Sequence, residues 1–157
     1  MTGPAAIEVV PVAWDDPAAV ALREAQRVEI DARYGGDTET GVKPSAADIA
    51  LFLVAFRGGE PVACGGLRPI DAEHGEIKRM FATPAARGTG AAVAVLRALE
   101  AAARERGWTR LVLETGVEQP DAIRFYTREG YEPIEKFGYY ADAELSLCFG
   151  RTLTPGG

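Results

Sequence analysis

Two glycines two residues apart, Gly88 and Gly90, follow Arg87 and directly precede an alanine-rich apolar run. The first N–H groups of a helix have no acceptor within the helix, and the helix dipole adds partial positive charge there. Glycine lacks the Cβ that would keep an anion away from the backbone, and arginine adds a formal charge. This spacing is typical either of a phosphate-binding turn or of a plain tight turn with Arg87 in solvent.

The residues after the turn narrow the choice of phosphate ligand. A nucleoside triphosphate loop needs Lys followed by Ser or Thr after the last glycine, but Ala91 and Ala92 stand there. A dinucleotide fingerprint needs a third glycine, although Glu114 lies roughly where a ribose-binding acid would fall. That motif also follows the first strand of repeated βαβ units, whereas antiparallel strands are expected before this turn. A dinucleotide-binding oxidoreductase is therefore the weaker alternative.

Composition limits the class of protein further. The chain has 157 residues, a net charge of −6 and 47% apolar residues, which predicts one globular domain over 1–157 with a loose tail at 154–157. The acidic balance argues against nucleic acid and mildly favours an amine partner, although simple solubility is the better explanation. We expect no metal, no membrane span and a cytoplasmic location, since there is one histidine, no long apolar run and no secretory signal. Cys64 and Cys148 are expected to be buried thiols.

Hydrophobic periodicity predicts a mixed, mostly antiparallel α+β sheet flanked by helices, with one parallel crossover. Asp16 and Pro17 mark a helix start, and Ala21, Ala25, Val28 and Ala32 predict the buried stripe of that helix. The predicted strands are 7–14, 49–56, 61–70, 76–83, 109–115, one within 131–145, and 146–153. The predicted helices run from Pro17 to about Gly35, from the glycine turn to Gly107, and from Pro120 to Arg128, with a loop at 37–46.

The sequence resembles the GCN5-related N-acetyltransferase (GNAT) family in two motifs. Arg87-Gly88-Thr89-Gly90-Ala91-Ala92 is similar to the family signature R/Q-x-x-G-x-G/A, with alanine at the last place. The stretch QPDAIRFYTREGYEP, residues 119–133, resembles a second signature in which a short helix carries a tyrosine. The resemblance extends from the first strand to about residue 150 and is strongest in 76–131. It implies the GNAT fold, in which a bulged strand splays from its neighbour around the cofactor.

This resemblance implies acetyl-coenzyme A (acetyl-CoA) as the acetyl donor. The backbone amides of Gly88, Thr89, Gly90, Ala91 and Ala92, with Arg87 beside them, would hold the pyrophosphate. The strand edge at Met80, Phe81 and Ala82 would pair with the pantetheine arm. Asp121 occupies a place where the family often has an asparagine that faces the cofactor, and an acid suits a polyanion less well.

Acetyl transfer requires a neutral amine and a proton for the departing thiolate. The resemblance implies that Tyr126 supplies that proton; the alternative is a core tyrosine. Glu76 is the leading candidate for the base, and strand alternation predicts that it shares a face with Lys78 and Met80, opposite Ile77 and Phe81. The alternative to a catalytic base is that Glu76 has only a structural role, as the ion-pair partner of Lys78. Glu114, His74 or a water chain are the competing bases, whereas an acetyl-cysteine is disfavoured.

Polar and aromatic residues in two regions, 31–36 and 135–145, predict where the acceptor binds. Arg33 would suit a substrate carboxylate, and Glu114 is a further candidate. The other candidates are Tyr34, Phe137, Tyr139 and Tyr140, although each tyrosine is equally well explained by packing on a sheet edge. The sequence thus predicts an N-acetyltransferase that acts on the primary amine of a small molecule or protein in a ternary complex. The alternative is a non-catalytic acyl-CoA sensor, and either protein could be a homodimer.

Overall fold

A computed structural model describes residues 6–35 and 45–153 of the chain. Seven strands and three α-helices lie in these ranges. The strands are β1 (Ile7–Pro11), β2 (Leu51–Arg57), β3 (Glu60–Pro69), β4 (His74–Ala82), β5 (Arg110–Gly116), β6 (Glu132–Ile134) and β7 (Ser146–Thr152). The helices are α1 (Pro17–Tyr34), α2 (Ala91–Glu105) and α3 (Pro120–Arg128), with 3-10 turns at Pro84–Ala86 and Gly138–Tyr140. Most of the predicted loop at 37–46 lies outside the described residues.

All seven strands form one sheet in the order β1-β2-β3-β4-β5-β7-β6. Every neighbouring pair is antiparallel except β4 and β5, which α2 connects as a parallel crossover. This confirms the predicted α+β fold. The predicted strand within 131–145 is β6, and it pairs with β7 at the outer edge. Within the described ranges, no helix combines the length and the apolar character that crossing a membrane requires.

The first helix begins and ends where the sequence predicts. The Ala18 N–H donates a hydrogen bond of 2.9 Å to Asp16 Oδ1, and Pro17 is the first helical residue. Gly35 ends the helix with a φ of 75°, a conformation that glycine adopts without steric cost.

The predicted buried stripe of α1 is wrong. Ala21, Ala25, Val28 and Ala32 are exposed, and Val28 keeps 55% of its surface in solvent. Ala19 and Leu22 are buried instead. Further along the helix, the side that faces the protein carries longer polar side chains such as Gln26. Apolar periodicity therefore pointed to the wrong side of α1, because the side that faces the protein is partly polar.

Two hydrophobic clusters cover opposite faces of the sheet, as the alternation of Phe52, Leu53, Val54 and Ala55 between them shows. The first cluster is built on α2. Its α2 members are Ala91, Val95, Leu96, Leu99 and Ala103, which are all fully buried. The second cluster is built on α1 and is smaller. It contains Ala19, Leu22, Phe52, Val54, Cys64 and Phe81.

A β-bulge interrupts β4. The register between β3 and β4 shifts so that Arg79 and Met80 both lie opposite Gly65. Arg79 has a φ of 58°, a left-handed conformation, as expected of a bulge residue under local constraint. An ideal Cβ on Gly65 would lie 2.4 Å from the Met80 sulfur, so the absence of a side chain at position 65 leaves room for Met80.

The bulge reverses the alternation of side chains along the rest of β4. Lys78 lies opposite Gly66 before the bulge, on the same face as Glu76. After the bulge, Phe81 joins the α1 cluster, whereas Met80 packs with Ile77 against the α2 cluster. The predicted grouping of Met80 with Glu76, and of Phe81 with Ile77, is therefore wrong.

Candidate active site

The parallel strands β4 and β5 pair along only part of their length. Their registered partners run from His74 and Arg110 to Ile77 and Leu113. Beyond this point β4 continues to Ala82 and β5 to Gly116, but the two strands diverge. Divergence leaves polar backbone groups of β4 available on one edge, which is the splayed arrangement that the resemblance implied.

Two adjoining cavities lie at this divergence. The donor cavity, as we name it, has a volume of about 520 Å³ and is bordered by α1, the end of β4, the glycine turn, the start of α2 and α3. The acceptor cavity has a volume of about 450 Å³ and is bordered by α1, β4, β5 and the segment before β7. Six residues line both cavities: Gln26, Ile30, Met80, Gln119, Ala122 and Tyr126.

The glycine turn forms one wall of the donor cavity. Gly88 and Gly90 have φ angles of 79° and 92°, and an added Cβ on either would meet no atom within 4 Å. Gly90 caps α2, and its carbonyl accepts from Ala94 N–H at 3.0 Å. The N–H groups of the first turn precede this bond, so they have no acceptor within the helix. The turn therefore offers an open, partly positive cradle that suits a phosphate group.

Arg87 is held beside this cradle by two contacts. Its Nε donates to the Ala82 carbonyl at 3.1 Å, and its Nη2 lies 2.6 Å from Glu29 Oε2 on α1. Arg33 Nη2 contacts the other oxygen of Glu29 at 3.1 Å. Glu29 thus connects two arginines that both border the donor cavity.

Most of the residues expected to bind the cofactor are brought together here. Those whose atoms line the donor cavity are Met80, Phe81, Ala82, Arg87, Gly88, Gly90, Ala92 and Asp121. Thr89 and Ala91 are not among the lining residues. The Thr89 hydroxyl donates to the Ala86 carbonyl, and Ala91 packs into the α2 cluster. Asp121 forms an ion pair with Arg124, which offsets its charge near the cavity.

Sequence reasoning missed Gln26, which lines both cavities. Its Nε2 donates to the Met80 carbonyl at 2.8 Å, and its Oε1 is buried with no hydrogen-bond partner within the described ranges. A buried unpaired acceptor costs free energy until a donor reaches it. The polar residues of α1 are spaced as on a solvent-exposed helix face, so the sequence did not indicate that Gln26 faces inward.

Tyr126 lies where the two cavities meet. It comes from α3, is 6% exposed, and packs edge-on against the rings of Phe125 and Tyr131. Burial and the nearby charge of Glu114 raise the pKa of Tyr126 above its ordinary value. The phenol therefore keeps its proton in neutral solution, as a proton donor must.

Glu76 is held in a buried network and lines neither cavity. Its Oε1 accepts from Arg68 Nη2 at 2.6 Å, and its Oε2 accepts from the Tyr140 hydroxyl at 3.0 Å. Lys78 Nζ donates to the same hydroxyl at 2.7 Å and lies 3.6 Å from Glu76 Oε2. Because a guanidinium and an ammonium stabilise the carboxylate, these contacts favour a structural role for Glu76 over that of a base.

The two competing bases lie in very different places. Glu114 lines the acceptor cavity together with Tyr126, and its Oε2 accepts from the Ser146 hydroxyl at 2.7 Å. His74 lies at the opposite end of β4, where its Nδ1 is 2.7 Å from Asp71 Oδ1 in solvent. The geometry therefore favours Glu114 and removes His74 from contact with either cavity.

The expected acceptor residues divide between the cavities. Tyr34 and Tyr140 line the acceptor cavity, whereas Arg33 lines the donor cavity. The Tyr34 hydroxyl accepts from the Glu118 N–H at 2.9 Å and so ties α1 to the loop before α3. Tyr139 lies in the second 3-10 turn, and its side chain falls outside what the structure describes.

Other chemistry finds little support in the described part of the chain. Residues 6–35 and 45–153 contain no group of three or more His, Cys, Asp or Glu side chains arranged to hold a metal ion. Burial raises the pKa of the Cys64 thiol to about 12, so this sulfur is not a thiolate nucleophile near neutral pH.

Comparison with known proteins identifies the family. The chain matches the Acetyltransferase (GNAT) family model over residues 14–131. It is 42% identical over 119 residues to the IAA acetyltransferase of Azospirillum brasilense, and the aligned region covers 74% of each chain. The chain therefore belongs to the GNAT family and is an acyltransferase.

Solved structures agree with this fold. A Klebsiella pneumoniae protein described as an acyl-CoA N-acyltransferase superposes with a TM-score of 0.78 at 32% identity, over 94% of this chain and 98% of that one. A GNAT acetyltransferase from Elizabethkingia anophelis, solved with acetyl-CoA bound, superposes with a TM-score of 0.68 at 17% identity, over 94% and 98% of the chains.

Proposed function

We propose that this protein transfers the acetyl group of acetyl-CoA to the primary amine of an acceptor, by direct attack in a ternary complex. The observation that carries the proposal is the position of Tyr126, a buried tyrosine that lines both the donor and the acceptor cavity. A thioester in one cavity and an amine in the other would meet beside it.

The donor cavity suits coenzyme A along its length. The cradle at Gly88, Gly90 and Ala92 would bind the pyrophosphate through backbone N–H groups at the start of α2. Arg87 would exchange its contact with Glu29 for phosphate oxygens. The edge of β4 at Met80–Ala82, left open where β5 diverges, would pair with the amide groups of the pantetheine arm.

The chemistry then needs three proton transfers. Glu114 would take a proton from the acceptor ammonium, directly or through water, so that the neutral amine attacks the thioester carbonyl. The carbon–sulfur bond breaks as the amide forms, and Tyr126 would donate its proton to the departing thiolate. The second proton that the amine nitrogen loses would pass, directly or through water, to the Tyr126 phenolate and restore it. The Arg68–Glu76–Tyr140–Lys78 network would keep the wall of the acceptor cavity in place.

The test combines a binding and a turnover measurement. Calorimetry with acetyl-CoA should show binding near 1:1, and release of free thiol should follow when an amine panel is added. Because one relative is named for IAA, that compound is tested beside the amine panel as a separate candidate acceptor. Binding without thiol release for any acceptor would support the non-catalytic sensor instead, and absence of acetyl-CoA binding would refute both functions.

A further inference from the structure

Arg23, on the second turn of α1, occupies an unusual position in the acceptor cavity. Its guanidinium carbon lies 3.6 Å from the centre of the Trp14 ring and 5.2 Å from that of Phe52. These two rings meet edge-on, with centroids 5.3 Å apart. Stacking on Trp14 fixes the plane of the guanidinium, so that the orientation of its N–H groups is set in advance.

This guanidinium makes no ion pair or hydrogen bond with a carboxylate among the described residues, and the charge of Asp15 acts on it only from a longer distance. Its Nη1 is buried and makes no hydrogen bond within the described ranges, and no ion pair there joins Arg23 to an acid. The other arginines of α1 differ, since Arg27 pairs with Glu24 and Asp31, and Arg33 pairs with Glu29. Burial lowers the pKa of Arg23 and the charge of Arg79 adds to this effect, whereas the charges of Cys64 and Asp15 oppose it.

The surroundings of Arg23 suit a small molecule with an anionic end. Trp14, Val20 and Leu145 supply apolar wall, and Tyr126 and Glu114 line the same cavity. Other charged residues also line it: Glu24, Arg27, Asp31, Lys78, Arg79 and Glu114. Arg27 is matched by its two acids and Lys78 contacts Glu76. Among the described cationic residues that line this cavity, Arg23 differs because its Nη1 is buried and has no hydrogen-bond acceptor.

We propose that Arg23 binds the carboxylate of the acceptor, and that the acceptors are therefore amino acids whose free amine is acetylated. The assignment rests on the proposed acetyl transfer. Because Arg23 lines the cavity, a carboxylate oxygen would accept from its guanidinium and leave the aromatic stack in place. The amine of the same molecule would then lie toward Tyr126 and Glu114, and the cavity volume of about 450 Å³ suits a single amino acid.

The first experiment compares L-amino acids with their carboxamides, which replace the carboxylate by a neutral group of similar size. Because this change also lowers the pKa of the amine, rates are compared per concentration of neutral amine. With the wild-type protein, kcat/KM from thiol release should be at least about tenfold higher for the acid of the preferred pair. Arg23→Gln should raise the KM for that acid by about 10- to 100-fold, the range for a hydrogen bond to a charged group, and should leave the carboxamide nearly unchanged. Arg23→Lys should restore part of the loss.

The matched control is Arg106→Gln. Arg106 also stacks on a tryptophan, with its guanidinium carbon 5.9 Å from the Trp108 ring, but it lines neither cavity. It should leave the acid-to-carboxamide ratio as in the wild type. If Arg23→Gln does not fold, the ratio in the wild type still decides, because equal rates for acids and carboxamides would overturn the proposal.

A binding measurement separates this inference from the proposed reaction. Calorimetry with a panel of N-acetyl amino acids should show that at least one binds the CoA-loaded wild type, and that Arg23→Gln and the matching N-acetyl carboxamide each lose about 10-fold or more in affinity. If no amine releases thiol but this binding depends on Arg23, the reaction is wrong and the anion site stands. If thiol is released but neither KM nor binding depends on the carboxylate, the anion site is wrong and the reaction stands.

Discussion

The two faces of the sheet are built differently. Among the described residues, the cluster on the α2 face contains 19 buried residues, whereas that on the α1 face contains six. Both cavities border α1, through Gln26 and Ile30. The α2 face thus supplies most of the hydrophobic stabilisation, and the α1 face leaves space for ligands. If this division is correct, substitutions on the two sides should affect different properties.

Leu99→Ala tests the packed side and should have the largest effect. Leu99 is fully buried in the α2 cluster, so the cavity left behind should lower the free energy of unfolding by about 3 kcal/mol. Chemical denaturation measures this, with Val28→Ala on the exposed side of α1 as control, where a change below about 0.5 kcal/mol is expected. A loss of acetyl-CoA affinity in folded Leu99→Ala protein would contradict the division.

Gly90→Glu tests the open side at the phosphate cradle. Bulk and negative charge should weaken acetyl-CoA binding by at least about 100-fold, because the backbone N–H groups become covered and the diphosphate is repelled. Gly59→Glu is the matched control, since Gly59 also has a positive φ of 81° and nothing within 4 Å of an added Cβ. Both variants should lose similar stability, and retained affinity in Gly90→Glu would refute the cradle.

Tyr126→Phe separates chemistry from binding. We expect kcat to fall about 30-fold, just below the usual range for a general acid because a thiolate leaves readily, with acetyl-CoA affinity nearly unchanged. The raised pKa of Tyr126 adds a second readout. Because the phenol stays protonated above its ordinary pKa of about 10, wild-type kcat should show no loss from Tyr126 ionisation up to that pH. An unchanged kcat in Tyr126→Phe would remove it as the acid.

Glu29→Gln should have the smallest effect, and in the opposite direction. Glu29 competes with the diphosphate for Arg87, so its neutralisation should tighten acetyl-CoA binding by about threefold, the scale of a half-exposed ion pair. Glu60→Gln, in the β2–β3 hairpin, changes the net charge equally and should leave calorimetric affinity unchanged. Weaker binding in Glu29→Gln would show that Glu29 supports the cofactor site.

The same division explains what the sequence could predict. On the α2 side, apolar periodicity predicted the helix and the crossover, because the buried face of α2 is apolar apart from Glu100. The glycine spacing predicted the turn before this helix, where the protein opens into the donor cavity. On the α1 side, the predicted apolar stripe was wrong and Arg23 and Gln26 were missed. Both side chains are polar and face a cavity, and apolar periodicity does not detect inward-facing polar residues.

Long-range geometry limited the rest. The family resemblance implied a bulged strand, but no local pattern placed the bulge at Arg79, where it reverses which side chains of β4 share a face. Glu76 was a reasonable base by its place on the strand. Its partners Arg68 and Tyr140 lie 8 and 64 residues away along the chain. Only the folded sheet therefore reveals that both donate hydrogen bonds to the Glu76 carboxylate.

The bare backbone at Gly65 gives the binding region a hidden dependence. Even a methyl group there would collide with the Met80 thioether, and the Met80 side chain lines both the donor cavity and the acceptor cavity. Position 65 lines neither of them. A change on the neighbouring strand would therefore remodel the partition between donor and acceptor, and it would do so without altering any residue that a bound molecule touches.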